Sequence, residues 1–290
     1  MLYVLTLASA AVYGAADFLG GLASRRANAI AIVVISQLAG LAALALMLPI
    51  LPAATAVRAD FMWGAAAGVM GGIGVGLLYH GLANGVMAIV APVTALCAVA
   101  VPVLTAVALG ERPGSGKTGG IVLAILAIAL VSQQSSGDDT RDPSASGSDA
   151  AAARSSSIII ALASGVAIGL FFLALARTSP AAGMWPLVAA RAASFVLFSA
   201  IAVVLHTPMR MPSGVAALGI TGGILDMLAN VLYLLATRHG LLSIVVTLSS
   251  LYPASTVLLA RVVLGERLSG RQTAGVVCAF AAVVLIVGTK

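Results

Sequence analysis

Leu264-Gly265-Glu266-Arg267 ends a long apolar segment near the C-terminus, and the same four residues occur once before, at Leu109-Gly110-Glu111-Arg112. The two copies are 155 positions apart (264 − 109). Other identical residues at this offset include Ile89 and Ile244, Val90 and Val245, Leu96 and Leu251, Leu104 and Leu259, Thr118 and Thr273, and Gly120 and Gly275. A contiguous match at the same place in both halves predicts a duplicated unit, and such repeats decide the fold.

The composition excludes an ordinary soluble domain. Hydrophobic residues make up 61% of the 290 residues, charged residues 8%, and the mean hydropathy is +1.13. A soluble domain has about 45–50% apolar and roughly 25% charged residues. Because the chain lacks the polar residues that a water-facing surface needs, we expect lipid to be its main solvent.

The charges and cysteines argue against several other classes. The net charge is +6, but the basic residues are scattered singly between apolar runs, which favours headgroup anchoring and no nucleic-acid partner. Cys97 and Cys278 fall inside apolar segments, without the clustered thiols or histidines of a disulfide framework or zinc site. We therefore expect no metal and no cofactor.

A membrane-spanning helix needs about 20 mostly apolar residues. The first apolar run, 2–23, lacks a basic region before it and a small-residue cleavage site, so we interpret it as a retained helix rather than a signal peptide. The sequence predicts an all-α membrane protein with ten transmembrane helices. The predicted spans are 2–23, 29–51, 62–83, 86–108, 118–134, 157–176, 183–205, 214–236, 241–264 and 272–289.

One connection differs from the rest. Residues 135–156 are rich in Ser, Asp and Gly, cannot bury apolar surface, and predict a flexible linker. The linker separates a first five-helix repeat, 1–134, from a second, 157–290. Because five spans is an odd number, the second copy enters the membrane from the opposite side, which predicts two inverted repeats.

Two copies of five helices, with Gly-Glu-Arg closing the fourth and ninth, resemble the EamA-type transporters of the drug/metabolite transporter superfamily. The resemblance covers nearly the whole chain except the linker. It implies a secondary transporter, often an exporter of metabolites, amino acids or toxic compounds, with both termini cytoplasmic. The stretches that carry the resemblance are 88–112 with Pro92 and Pro102, 243–267 with Pro253, and the openings Thr118-Gly119-Gly120 and Thr273-Ala274-Gly275.

The chain departs from the family pattern in its long linker and in one arginine. An arginine is often seen early in the second helix of each unit of the family. Here it appears only as Arg191, and the matching region of the first copy holds Ser36 and Gln37.

Ionisable groups inside spans are costly, so each is a functional candidate. Asp17 lies in the first predicted helix, four residues after Tyr13 and on the same face. Asp226 lies near the middle of the eighth, and Asn230 and Tyr233 point to the same side of that helix. We expect these five residues to contribute to a substrate or proton site.

Three further candidates come from other helices. Arg191 lies about two turns into the seventh helix, and the antiparallel course of helices seven and eight places it at a depth similar to that of Asp226. Tyr79 and His80, near the end of helix three, are weaker candidates for substrate contacts. The structural alternatives are a buried Arg191–Asp226 ion pair, an Asp17 that snorkels, and an interfacial His80.

Two glycine-rich features have structural rather than catalytic interpretations. Pro113-Gly-Ser-Gly-Lys-Thr118 resembles a phosphate-binding loop, but Glu111 stands where its first glycine is required, and no strand precedes it. Helix three holds small residues at a spacing that lets helices approach closely. These are Gly64, Gly68, Gly71, Gly72, Gly74 and Gly76.

The sequence thus predicts a secondary active transporter rather than an enzyme. It would export a small metabolite, amino acid or drug-like compound by alternating access, with a proton carried by Asp17 or Asp226. The expected partners are the lipid bilayer, a small molecule and protons. Alternatives are an intramembrane lipid-modifying enzyme, which needs clustered Asp or His motifs at one membrane face, and a non-transporting membrane interaction protein. The Ala- and Gly-rich composition favours a bacterial cytoplasmic membrane.

Overall fold

The structure is a computed structural model that describes residues 1–50, 53–84, 87–132, 147–264 and 269–288. Side chains are described in these ranges except at 79–84, 87–89, 91–92, 147–154 and 264. The described residues form α-helices joined by short loops and contain no strand, so the all-α prediction is confirmed.

Eleven α-helices run through the described residues, with two short 3₁₀ helices at Leu48–Ile50 and Pro180–Ala182. Most begin and end within a few residues of the predicted spans. The helices are α1 (Leu2–Ser24), α2 (Ala29–Met47), α3 (Arg58–Asn84), α4 (Met87–Ala108), α5 (Ser115–Val131), α6 (Gly147–Ala176), α7 (Trp185–Val204), α8 (Ser213–Thr237), α9 (Leu242–Ser249), α10 (Tyr252–Leu264) and α11 (Gly270–Gly288).

The helices are long and apolar enough for a bilayer. Eight segments of the described chain could cross a membrane by length and composition, and two shorter apolar helices, Val93–Ala108 and Ser115–Val131, accompany them. Large aliphatic side chains lie on the outside, including Leu46, Val203 and Val262, each at least 75% exposed. A surface of this kind is suited to lipid, since in water it would be an extensive apolar patch.

The helix predicted over 241–264 is not continuous. It ends as α9 at Ser249, and α10 begins at Tyr252. Pro253 has no N–H, so the carbonyl of Ser249, four residues earlier, loses its helical donor. The hydroxyls of Ser249 and Ser250 are buried at this break and find no hydrogen-bond partner among the described atoms.

The predicted linker is wrong at its C-terminal end. Helix α6 begins at Gly147, inside the segment 135–156 that was expected to be flexible throughout. The alanines from Ala150 to Ala153 have the highest helix propensity and extend the first turns of the helix. The part of the linker at 135–146 lies outside the described residues.

Glycines let α3 lie directly against α7. A Cβ at Gly64 would collide with the carbonyl oxygen of Pro186, and one at Gly68 with that of Ala190. Gly76 has open space where its Cβ would be. The close helix packing predicted for this glycine series is therefore confirmed at Gly64 and Gly68 but is wrong at Gly76.

Helix contacts recur in equivalent pairs. Helix α1 contacts α8. At the 155-residue offset, α6 is the counterpart of α1, and α3 is the counterpart of α8. Helix α6 contacts α3 in the same way. The hydroxyl of Ser9 donates to the carbonyl oxygen of Ala229 at 2.9 Å, and that of Ser164 to the carbonyl oxygen of Gly74 at 2.7 Å. Since 164 − 9 and 229 − 74 both equal 155, the same bond joins the two helix pairs with the roles of the halves exchanged.

Hydrogen bonds join the loops at one end of the helices. The N–H of Thr55 donates to the carbonyl oxygen of Ala181 at 2.9 Å, which links the α2–α3 and α6–α7 loops. The buried carboxylate of Asp60, in the first turn of α3, accepts the N–H groups of Ser179 at 2.7 Å and Val57 at 3.0 Å. The bonds that Thr55 and Ser179 donate cross between the two halves of the chain, whereas the bond between Val57 and Asp60 is local.

The α4–α5 and α8–α9 loops meet at the same end. Arg238 donates to the carbonyl oxygen of Gly183 at 2.6 Å, and burial lowers the pKa of its guanidinium from the ordinary value. The carboxylate of Glu111 accepts the N–H groups of Leu242 at 2.7 Å and Ser243 at 3.0 Å, and the Ser243 hydroxyl at 2.7 Å. Glu111 therefore caps the N-terminus of α9. We call these four loops the tied end; the repeated Glu266 lies outside the described residues.

Candidate functional site

A cavity of about 340 Å³ lies among the helices, and its two sides differ in polarity. One side, which we call the polar wall, comes from α1, α2, α7 and α8. The other, the apolar wall, comes from α3 and α6. The polar wall consists of Tyr13, Asp17, Gln37, Arg191, Asp226 and Asn230, and the apolar wall of Gly71, Val75, Leu78, Ile168, Phe171 and Phe172. Further lining residues include Gly21, Gly68, Leu187, Ser194, Phe198 and Tyr252.

A chain of side-chain hydrogen bonds crosses the polar wall. The Tyr13 hydroxyl donates to Oδ1 of Asn230 at 2.8 Å. The Asn230 amide donates to Asp226, at 2.7 Å to the carbonyl oxygen and 3.3 Å to Oδ2. Arg191 forms an ion pair with Asp226 through Nη2 and donates to Oε1 of Gln37 through Nη1. Five side chains from four helices are thereby held in one network.

The ion pair is buried unequally. The Arg191 side chain is 8% exposed, whereas that of Asp226 is 31% exposed and faces the cavity. Removing a charge from water costs roughly several kcal/mol, and the attraction of an opposite charge offsets this cost only at close range. Asp226 is therefore the charge that makes the buried Arg191 tolerable, and the similar depth predicted for the two residues is confirmed.

Asp17 lies on the polar wall but outside this network. Its side chain is exposed to the cavity, one helical turn beyond Tyr13 on α1. No described residue donates a hydrogen bond to its carboxylate or forms an ion pair with it. The cavity thus holds a carboxylate that no described side chain neutralises.

Close helix approach assembles the polar wall. A Cβ at Gly223 of α8 would collide with the backbone of Ser36 on α2, and one at Gly222 would meet the backbone of α1 at Ala16. These two small residues bring α8 against α1 and α2 together. The side chains of Asp226 and Gln37 can then meet the same guanidinium.

Aromatic rings dominate the apolar wall. The Phe171 and Phe172 ring centroids lie 5.2 Å apart at an interplanar angle of 63°, and Phe172 lies 4.9 Å from the ring of Tyr233. Edge-to-face pairs of this kind are stabilised beyond the area they bury. Phe198 of α7 continues this surface at 3% exposure.

The cavity extends away from the tied end. Helix α1 begins at the tied end, since Leu2 lies against Gly240 of the α8–α9 loop, and α3 begins there beside Asp60. Gly21 and Leu78, which line the cavity, lie towards the other ends of these two helices.

Comparison with known families shows which family the chain belongs to. The model of the EamA-like transporter family matches the chain twice, over residues 1–133 and 155–288. The chain belongs to the EamA-like transporter family. It is an integral, multi-pass membrane protein of that family, and the resemblance inferred from the Gly-Glu-Arg repeat is confirmed.

Other comparisons bear on the fold of this EamA-like protein. No curated protein is significantly similar to it in sequence. Among solved structures, 27 chains are similar. One, described only as the crystal structure of a protein, has a TM-score of 0.69 and 17% sequence identity over 96% of this chain and 95% of its own. At this identity the likeness establishes a shared fold alone.

The structure brings most of the predicted site residues of this EamA-like protein together. Tyr13, Asp17, Arg191, Asp226 and Asn230 all line the cavity. Their roles in substrate or proton binding stay predictions.

The other predicted site residues are placed differently. Tyr233 is fully buried, donates from its hydroxyl to the carbonyl oxygen of Phe172 at 3.2 Å, and is not among the lining residues. Seven residues after Asp226, it lies about two turns, or roughly 10 Å, further along nearly the same face of α8, where it contacts Phe172 of α6. The side chains of Tyr79 and His80 lie outside those described.

Sequence reasoning missed several lining residues. Gln37 had a signal, because it is a polar residue inside an apolar helix, yet it was noted only for the arginine it replaces. Tyr252 also had a signal in the sequence, since it immediately precedes a proline inside a predicted span. Phe171, Phe172 and Phe198 had none, because a phenylalanine that faces a cavity reads the same as one that faces lipid.

Proposed function

We propose that this EamA-like protein is a secondary active transporter that binds a small molecule in the central cavity and exports it by alternating access. The observation that carries the proposal is the cavity itself, which places two carboxylates and a guanidinium inside apolar helices. Groups so costly to bury in a membrane are retained where they bind or move something. The proposed setting is a bacterial cytoplasmic membrane.

The proposed architecture is two inverted five-span repeats around this cavity. The exchange of α1–α8 contacts for α6–α3 contacts supports it, as do the equivalent bonds of Ser9 and Ser164. When two copies of one unit insert into the membrane in opposite directions, each copy can adopt the conformation of the other. The transporter then has two conformations of similar energy, one open to each side of the membrane. In the conformation described here, the tied end is closed and the cavity faces the opposite side.

We further propose that transport is coupled to protons at Asp17 or Asp226. Among the described residues, the titratable groups that line the cavity with Asp17 are Asp226 and Arg191 of the neighbouring helices, Tyr13 on its own helix and Tyr252 on α10. Desolvation favours the neutral form of a carboxyl group and a nearby cation favours the charged form. A rearrangement that changes the distance to Arg191 would therefore load or release a proton.

The function can be tested without knowing the substrate. In a background with Cys97→Ala and Cys278→Ala, a cysteine replaces Val75 in the cavity, and membrane-impermeant maleimide is applied to each side of oriented proteoliposomes. A transporter is expected to be labelled from both sides. Labelling from one side only, at every pH tested, would contradict alternating access.

A cross-link supplies the matched control for that experiment. Thr55→Cys with Ala181→Cys joins two loops that are already hydrogen-bonded at the tied end. Oxidation should abolish maleimide labelling of Val75→Cys from the membrane side at the tied end and leave labelling from the other side unchanged. Reduction should restore the lost labelling. Proton coupling is tested in the same vesicles, where Asp17→Asn or Asp226→Asn should uncouple flux from an imposed pH gradient.

A further inference from the structure

We propose that the ligand of the cavity is a monovalent organic cation with an apolar body, and that Asp17 is its charge partner. This inference rests on the transport function proposed above and names the substrate class of the same site. It follows from the charges of the polar wall, from the composition of the apolar wall and from the size of the cavity.

The described lining residues leave one negative charge unbalanced. Asp17 and Asp226 contribute two carboxylates, and Arg191 contributes the one guanidinium among them. Arg191 forms its ion pair with Asp226, so that pair is neutral overall. Asp17 receives no hydrogen bond from a described residue and is exposed to the cavity. A ligand with one positive charge completes the electrostatic balance.

The geometry disfavours an anion. Arg191 is 8% exposed, and its two terminal nitrogens are engaged by Asp226 and Gln37. A ligand carboxylate would have to displace Asp226 from this buried pair and would then lie in a cavity that already holds Asp17. Like charges brought together in a poorly solvated site repel strongly. A zwitterion meets the same obstacle with its negative end.

The apolar wall sets the second requirement. Phe171, Phe172 and Ile168 face the polar wall and offer no hydrogen-bonding side chains. An inorganic cation or a small hydrophilic amine would leave these surfaces in contact with water. A ligand with an aromatic or aliphatic body buries them, and an aromatic ring can also favour a nearby cation through its face.

The volume limits the ligand to a small molecule. Ligand pockets span roughly 300–1,000 Å³, and a cavity of about 340 Å³ lies near the lower limit. We therefore expect an amine with one ring or a short branched chain rather than a large polycyclic compound.

Four probes with the same phenylpropyl body and different charge test this. They are 3-phenylpropylamine, 3-phenylpropan-1-ol, 3-phenylpropionate and the amino acid phenylalanine, and all compete with radiolabelled 3-phenylpropylamine on the purified full chain at pH 7. The amine should bind more tightly than the alcohol by roughly tenfold or more, the amount expected for a charge-assisted hydrogen bond. Equal or tighter binding of 3-phenylpropionate or phenylalanine would overturn the proposal.

Two variants test the role of Asp17. Asp17→Asn should weaken amine binding until it matches that of the alcohol, whereas Asp17→Glu should retain the preference for the amine. Both should elute as the wild type does in gel filtration, because the network of Tyr13, Asn230 and Asp226 does not include Asp17. Unchanged amine affinity in Asp17→Asn would overturn the assignment.

Flux measurements in proteoliposomes separate this inference from the transport function. Amine that binds through Asp17 but does not cross the membrane would support the cation site and contradict the transporter. Flux of 3-phenylpropionate or phenylalanine that is insensitive to Asp17→Asn would support the transporter and contradict the cation site. If none of the four probes binds at millimolar concentration, the cation proposal fails, and the labelling of Val75→Cys still decides the transport function.

Discussion

Helices α1 and α8 of the polar wall and helices α6 and α3 of the apolar wall are equivalent parts of the duplicated sequence, yet the first pair carries acidic side chains and the second is apolar. Helices α1 and α8 carry the two carboxylates and the amide of Asn230, while their counterparts α6 and α3 carry phenylalanine, glycine and valine. Helices α2 and α7 are counterparts of each other, and both lie in the polar wall. The equivalent positions, each 155 apart, are Asp17 and Phe172, Asp226 and Gly71, and Asn230 and Val75.

The helix–helix contacts of the two halves are alike, whereas the side chains that face the cavity differ. The hydroxyls of Ser9 and Ser164 make the same helix–helix bond on both sides, so the α1–α8 pair and the α6–α3 pair share one framework. The cavity-facing side chains of these two pairs are not equivalent. A symmetric site would hold two copies of every charge and could not orient a ligand, whereas the observed site offers a charge on one side and a surface for an apolar body on the other.

The largest effect is expected from breaking the ion pair of the polar wall. Asp226→Leu leaves the buried Arg191 without its partner and should destabilise the protein by about 3 kcal/mol. The double variant Arg191→Met with Asp226→Leu removes both charges and should recover most of that stability. Thermal unfolding in detergent measures the recovery, and flux in proteoliposomes measures function.

These variants also separate a structural pair from a functional one. If the double variant regains both stability and transport, the pair serves only to hold the helices. If it regains stability but not transport, the charges of the polar wall act in the transport cycle, as we propose.

The next largest effect concerns the helix that forms the apolar wall. Gly68→Ala would drive a methyl group into the carbonyl oxygen of Ala190 and force α3 away from α7, at a cost of roughly 1–3 kcal/mol. Gly76→Ala, on the same helix with open space around its Cβ, is the matched control and should leave unfolding unchanged or slightly raise its midpoint. Equal destabilisation by the two variants would show that the cost comes from replacing a glycine of α3 in general and not from the close contact with α7.

A smaller effect is expected from making the two walls alike. Val75→Asn places on the apolar wall the residue that its equivalent position, Asn230, carries on the polar wall. The affinity for 3-phenylpropylamine should fall about three- to tenfold, because part of the apolar surface that its ring covers becomes polar. Val75→Leu keeps the surface apolar and should stay close to wild type. A gain in affinity with Val75→Asn would mean that the body of the ligand does not lie against this wall.

The smallest effect tests the shared framework. Ser9→Ala and Ser164→Ala each remove one interhelical hydrogen bond and should each lower stability by about 0.6 kcal/mol, the average for such bonds in membrane proteins. Thermal unfolding of the two variants side by side should give shifts of equal size. A clear inequality would show that the equivalent bonds differ in strength and that the two halves are not held alike.

The fold was largely predictable from the sequence because membrane helices have strong local signals. Span length, polar breaks and the repeated Gly-Glu-Arg stop predicted the helices to within a few residues, apart from two errors. The break at Ser250 was missed because Pro253 was compatible with a simple kink. The early start of α6 was missed because the Ser, Asp and Gly residues outweighed a short alanine run.

The candidate site was only partly predictable. Asp17, Arg191 and Asp226 were found because ionisable residues inside spans are rare. Their partners were harder to find, since Gln37 is neutral, and Tyr233 lies about two turns beyond Asp226 on α8 and is not among the lining residues. The apolar wall could not be predicted at all, because lipid and cavity select the same side chains.

The sequence by itself determined that the chain spans a membrane, repeats after 155 residues, and carries a few charges where charge is costly. Each follows from composition or local pattern, which lipid constrains residue by residue. The tertiary structure alone decided which helices meet, that Arg191 engages Asp226 and Gln37, and that Asp17 faces the cavity with no ion-pair partner in the part of the chain that the structure describes. These contacts depend on the close approach of helix backbones at glycines such as Gly223. They join residues far apart in the chain, and no local sequence pattern specifies such pairs.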